Sequence, residues 1–191
     1  MNQMFIYGIK CQGVPFFQSK CQELDLLDVS HALRFDDKKT RAERRDCDKL
    51  ASLREISNMF LSKFRSSYRP SEFVCVDEQL VPFCGRFPFQ VYRVTKTAKY
   101  GMKIWKCCNV ETSYCYSFDI YIGMIGRQPE IGQSERVVLQ LTENLAGSGR
   151  NITADNFFSS LMVVRSLLGS KLTFLGTVNN NKPFVSSEFQ C

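Results

Sequence analysis

The sequence holds a single histidine, His31, and none of its nine cysteines forms a CxxC pair. Zinc fingers of the usual spacing need such pairs, so that class is excluded. No apolar run approaches the length that crosses a bilayer. Phe5, Ile6 and Tyr7 are not followed by a hydrophobic region of useful length, so no secretion signal is expected. Without that signal the Asn151-Ile152-Thr153 triplet, which matches a glycosylation pattern, reads as chance. The cysteines are scattered and odd in number, and Cys75, Cys107 and Cys115 fall in apolar runs. They read as small core residues of a reducing compartment.

What is present suffices for a core. In 191 residues the hydrophobic fraction is 44%, with 16 Phe, which suits one domain or one domain plus an arm. The net charge of +6 is uneven: residues 34–69 carry eleven Lys and Arg against six Asp and Glu. A basic stripe is what a polyanion-binding surface needs, because each phosphate contact releases counterions. The interleaved acids suit a solvated helix face equally well.

Leu24, Leu26, Leu27, Val29 and Leu33 suggest a short helix in an otherwise uninformative region 1–33. Residues 34–47 have no apolar period and read as a loop or linker. The spacing of Leu50, Leu53, Ile56, Met59, Phe60 and Phe64 predicts a helix over 48–65, capped by Asp48 and closed by Arg69-Pro70. Residues 71–81 alternate as a strand. Pro82, Gly85 and Pro88 punctuate a basic link. Met102–Asn109 and Tyr114–Tyr121 then read as a hairpin, and 134–145 as a helix with Ser134 as its cap. A short strand at 150–154 leads to a helical stripe of Phe157, Phe158, Leu161, Val164, Leu167 and Leu168, and 172–178 is a last strand. Strands that pair as a meander and then alternate with helices imply a mixed α/β fold, a mixed sheet with helices packed on it.

Two acids stand out. Asp77 lies in an apolar strand pattern, where a carboxylate is costly unless solvated, paired or bound to metal. The plain alternative ends the strand at Val76 and starts a turn at Asp77-Glu78. Asp155 follows a short strand and precedes a helical stripe, which is an N-cap position. If the two strands are neighbours, the carboxylates converge, and paired carboxylates are hard ligands for Mg²⁺ in phosphoryl transfer.

A longer set of residues carries a resemblance. Arg34-Phe35-Asp36-Asp37-Lys38, Thr40-Arg41-Ala42-Glu43-Arg44-Arg45, Asp48-Lys49-Leu50-Ala51 and Arg54-Glu55-Ile56 come first. Val76-Asp77-Glu78-Gln79-Leu80, Phe83, Gly85-Arg86, Pro88, Tyr92, Lys96, Lys99-Tyr100-Gly101 and Lys103 continue the series. Arg150-Asn151-Ile152-Thr153, Asp155-Asn156-Phe157-Phe158-Ser159-Ser160, Gly176-Thr177-Val178 and Asn181-Lys182 complete it. In order and spacing this resembles the transposase domain of the piggyBac family over about residues 33–182. The resemblance implies an RNase H-like DDE core that moves DNA by cut and paste with Mg²⁺. Asp77 matches the family's first catalytic and metal-binding acid and Asp155 the second.

The family's third acid has no counterpart in these residues, and neither do its helical insertion and its cysteine-rich C-terminal domain. Asn179 stands where the family more often has a basic residue. The expectation is therefore a domesticated or truncated relative in the nucleus, without autonomous transposition and with one sheet face uncovered. It would comprise an arm at 1–33, the transposase domain at 34–182 and a tail at 183–191. DNA would be bound by Arg41, Arg44, Arg45, Lys49, Arg86, Lys96, Lys99 and Lys103, with a homodimer or a related transposase chain as partner and no membrane contact. The alternative is a non-enzymatic interaction scaffold built on the same fold.

Overall fold

The computed structural model describes residues 5–6, 9–10, 33, 35–83, 85, 87–94, 99–124, 130–180, 182 and 184–185. The helix expected around Leu24–Val29 lies outside them. Ahead of it, β1 (Phe5–Ile6) and β2 (Ile9–Lys10) form a small antiparallel pair that the apolar pattern did not foretell.

Residues 34–47 are not simply a loop. They contain α1 (Arg41–Cys47), which has no buried residue and so shows no apolar period. Asp36 fixes it, with a carboxylate that accepts from both Arg41 and Arg44. The helix expected from residue 48 starts later, as α2 (Arg54–Ser67), with no side-chain cap. Leu50 and Ala51 are buried, but in the turn before it. Asp48 organises that turn by accepting from the Leu50 amide at 2.9 Å and from the Arg54 guanidinium at 2.7 and 2.8 Å. The amphipathic side of α2 is only half used. Phe64 packs edge-on against Tyr114 and Phe118, while Met59 and Phe60 stay exposed.

The sheet comprises β3 (Phe73–Pro82), β4 (Val91–Tyr92), β5 (Tyr100–Asn109), β6 (Cys115–Ile120), β7 (Asn151–Ala154) and β8 (Thr173–Gly176). Its main path runs β6-β5-β3-β7-β8, with the short β4 also on the outer edge of β5. The β6-β5-β3 pairs are antiparallel, and β3-β7-β8 are parallel. The turn alternative at Asp77 is overturned. β5 pairs with β3 all the way to Pro82, so the strand runs through the acid. Gly101 is required beside β3, since a Cβ there would sit 2.2 Å from the Val81 carbonyl oxygen.

The crossovers are α3 (Gln133–Thr142), extended by one 3-10 turn (Glu143–Leu145), and α4 (Leu161–Gly169). Gly132, in the left-handed region at φ 71°, precedes α3, so Ser134 is inside the helix and does not cap it. Both helices pack on one face of the sheet. Val137, Val138 and Leu141 of α3 and Val163 and Leu167 of α4 meet Val74, Val76, Trp105, Cys107, Ile152 and Ala154. Each such aliphatic side chain contributes about 1.5–3 kcal/mol by leaving water. The opposite face, expected to be uncovered, is covered at β6 by α2, where Phe64 packs against Phe118, the cross-strand partner of Lys106, and is open at Phe73 and Leu175, which are 46% and 63% exposed.

Candidate active site

Strand parity decides where each side chain points, because successive residues face opposite sides. On β3, Val74 and Val76 are buried in the helix-covered face, so Cys75 and Asp77 face the other way. On β7, Ile152 and Ala154 are buried, which places Thr153 on that same open face, and Asp155 follows directly, with its charge acting on the Cys75 thiol there. The parallel register aligns Val76 with Ala154. Asp77 and Asp155 are the next step along both strands. They stand just past the last paired residues of β3 and β7, which lie about 4.8 Å apart: Asp77 midway along β3 and Asp155 directly after β7. The Cys75 thiol registers both. Its pKa is pushed up, first by burial and then by the charges of Asp77, Cys108 and Asp155.

Local bonds hold the acids in place. Asp77 accepts from the Glu78 amide at 2.7 Å. Asp155 does not cap α4. Ser160 does, by accepting from the Val163 amide at 3.2 Å. Asp155 instead closes the turn between β7 and α4: its carboxylate takes the Phe157 amide at 3.1 Å and its carbonyl the Ser159 hydroxyl at 3.0 Å. Asn156 donates to Asn179 at 2.8 Å, which ties this turn to the loop beyond β8. Both carboxylates remain exposed.

Lys106 is a member of this constellation that sequence reasoning missed. It is the cross-strand partner of Asp77 on β5 and shares its face. The signal was available in parity, since Lys106 and Cys108 alternate with the buried Trp105 and Cys107. An ammonium beside Asp77 can pair with that carboxylate or with a phosphate presented to it.

A family model described as Transposase IS4 matches residues 11–190. A solved piggyBac transposase, in a cryo-EM synaptic complex with hairpin DNA, is 35% identical with a TM-score of 0.78. The chain belongs to the piggyBac-type transposase family. The match covers 87% of this chain and 36% of the piggyBac transposase chain, so these residues span little more than a third of that relative. Its fold is the DDE RNase H-like one, in agreement with the expectation from sequence.

DDE transposases generally work with a divalent metal. Asp77 and Asp155 supply two adjacent hard oxygen donors, and Mg²⁺ is commonly held by one or two carboxylates and several waters. The donor set fits a single, weakly held cation. Among the described residues no group of three or more His, Cys, Asp or Glu side chains is placed to hold a metal.

The basic residues expected at DNA are dispersed. Arg41 and Arg44 are committed to Asp36. Lys49 donates to the Met124 carbonyl at 2.7 Å but is exposed. Arg45 and Lys99 are exposed with no ion-pair partner among the described residues. Arg86 and Lys96 lie outside the described residues. Lys103 is 6% exposed on the helix-covered face, held by Glu78 at 2.8 Å and set against the rings of Trp105 and Phe157. An ammonium so enclosed presents nothing to a polyanion.

Proposed function

We propose that this chain is a DNA-binding protein of transposase descent that does not transpose autonomously. The observation that carries the reading is the placing of Asp77 and Asp155 just past the parallel pairing of β3 with β7, both acting on the Cys75 thiol. In this reading the two carboxylates hold one Mg²⁺, which when bound would polarise a phosphate oxygen of DNA. Lys106 would steady the same phosphate, and the exposed Arg45, Lys49 and Lys99 would contact the backbone. These residues contain two of the three acids that the family uses. The nucleus is the compartment in which such a protein would act, and the domain proper would be residues 34–182. The partners proposed are DNA and a second transposase-related chain.

The test is nicking of supercoiled plasmid with Mg²⁺ or Mn²⁺, alongside duplex binding at several salt concentrations. The reading expects duplex binding that weakens steeply with salt, and at most trace nicking. Robust cleavage that disappears in Asp77→Ala would show the site to be complete. Binding insensitive to salt would remove the phosphate contacts.

A second reading has its own observation. Arg41, Arg44 and Lys103 are committed internally, and Phe73 and Leu175 lie open on the sheet face beyond the acids. A protein-interaction scaffold would use that face and would show no measurable DNA affinity.

A further inference from the structure

Where the chain enters β3 and β7 lies a cavity of about 440 Å³ whose charged lining is entirely cationic. Arg65 and Arg69 come from the end of α2 and the segment after it, and Arg150 directly precedes β7. No Asp or Glu lines the cavity, and Ser66, Ser148 and Asn144 add hydroxyl and amide groups. None of the three arginines has an ion-pair partner among the described residues.

Two of the guanidiniums are held in place. Arg150 donates through Nε and Nη2 to the Pro70 carbonyl at 3.2 and 2.7 Å, and through Nε to the Ser71 carbonyl at 2.9 Å. Those carbonyls fix its orientation and leave its full positive charge, with Nη1 unspent. Arg65 donates through Nη2 to the Ser117 hydroxyl at 2.9 Å. Its Nε is buried and has no hydrogen-bond partner. A buried cationic N–H without an acceptor is costly, and native interiors rarely keep one. Because that Nε is closed to solvent, the groups left to meet an anion are the other N–H groups of Arg65 and Arg150 and the exposed guanidinium of Arg69.

We propose that this cavity is a phosphate-binding site, separate from the aspartate pair. Guanidinium forks match the oxygens of a phosphate group, and several converging on one space favour a multiply charged anion over chloride. The volume exceeds that of a bare phosphate and falls in the range of small-ligand sites, so the phosphate can belong to a larger molecule. The site is distinct from the acids by position. Arg150 and Asp155 lie at opposite ends of β7, five residues apart, which is about 17 Å along a strand. This goes beyond the function proposed above and holds whether or not the acids bind metal. The same chemistry is offered by a nucleic-acid backbone and by free phosphate or a nucleotide.

The experiment uses the full chain and calorimetric titration with inorganic phosphate, then with a short DNA duplex in the presence and absence of phosphate. Phosphate is expected to bind one to one, roughly at the millimolar level or tighter. Arg69→Gln, which removes no internal bond of the fold, and Arg65→Gln are expected to weaken it about tenfold. Lys39→Gln, an exposed residue before α1 and outside the cavity, is expected to leave it unchanged. A duplex that competes with phosphate, and loses that competition in Arg69→Gln, assigns the site to the nucleic-acid backbone. Phosphate binding that the duplex does not disturb assigns it to a free anion or nucleotide. Absence of phosphate and duplex binding in the cavity, or affinities equal in wild type and Arg69→Gln, would overturn the proposal. Asp77→Ala serves to separate the two sites, since it should abolish any nicking and leave the phosphate titration as it was.

Discussion

Glu78 and Lys103 meet at 2.8 Å on the helix-covered side of the sheet, one residue along β3 from an aspartate that faces the opposite way. Two consecutive acids therefore have different roles. Glu78 neutralises a buried ammonium that also lies 5.1 Å from the Trp105 ring and 5.0 Å from the Phe157 ring. Asp77 is left free for the open face. Removing one partner of a mostly buried pair strands the other charge, so Lys103→Ala is expected to cost about 2–4 kcal/mol of stability. The salt dependence of DNA binding should not change. Chemical denaturation and a binding titration on the same variant check both halves.

Asp36 holds α1 in place, and its pKa is lowered from the ordinary 3.8, first by the Arg44 hydrogen bond and then by that of Arg41. A folded-state pKa below the unfolded one gives stability that is present above about pH 4 and is lost as pH falls through the folded value. Asp48, lowered by Arg54, acts in the same direction. Acid titration followed by amide signals is expected to release α1 and the following turn below pH 4, ahead of the sheet. In Asp36→Asn the α1 signals should be perturbed already at neutral pH and lose that acid step.

The cysteines should differ in reactivity. Burial pushes the Cys107 thiol up to about 12. Cys108, its neighbour on the open face, is shifted down, chiefly by a hydrogen bond from the Cys115 thiol and also by Lys106, while Cys115 is shifted up. Because the thiolate is the nucleophile, alkylation at mildly alkaline pH should label Cys108 well before Cys107 and Cys115. Peptide mass spectrometry of a short labelling course reads the order. Lys106→Ala should slow labelling of Cys108.

Gly101→Ala places a methyl group against the backbone of Val81, which cannot swing aside as a side chain would. The expected cost is about 1–3 kcal/mol, measured as a shift in the denaturation midpoint with an unchanged slope.

Much of the sheet was legible, because Val74 and Val76 alternate against Cys75 and Asp77, and Ile152 and Ala154 against Thr153 and Asp155. What sequence reasoning misplaced has identifiable causes. The α1 helix is organised by Asp36 and its two arginines, and charge pairing leaves no hydrophobic period to read. Leu50 and Ala51 continue the spacing of α2 while belonging to the turn before it. Asp155 and Ser160 are both good caps five residues apart, and the Phe157-Phe158 pair between them imitates the start of a helix. Asp77 looked like the start of a turn because its β5 partners lie 29 residues away at Lys106, and pairing at that distance is set by register, not by local preference. Lys103 was grouped with the surface cations, although Gly101, Lys103, Trp105 and Cys107 share one face by parity. The likeness to piggyBac transposase supplied the pairing of the two acids, which no local pattern could have done.

Whether Asp77 and Asp155 form one cation site is decided by Mn²⁺ titration of the full chain, followed by paramagnetic broadening of amide signals. Signals at residues 76–78 and 154–156 are expected to broaden together with one midpoint, and Asp77→Asn is expected to remove the broadening at 154–156 as well as its own. Broadening at only one of the two segments, or at 154–156 with the same midpoint in Asp77→Asn as in wild type, would show that the two acids hold no common cation.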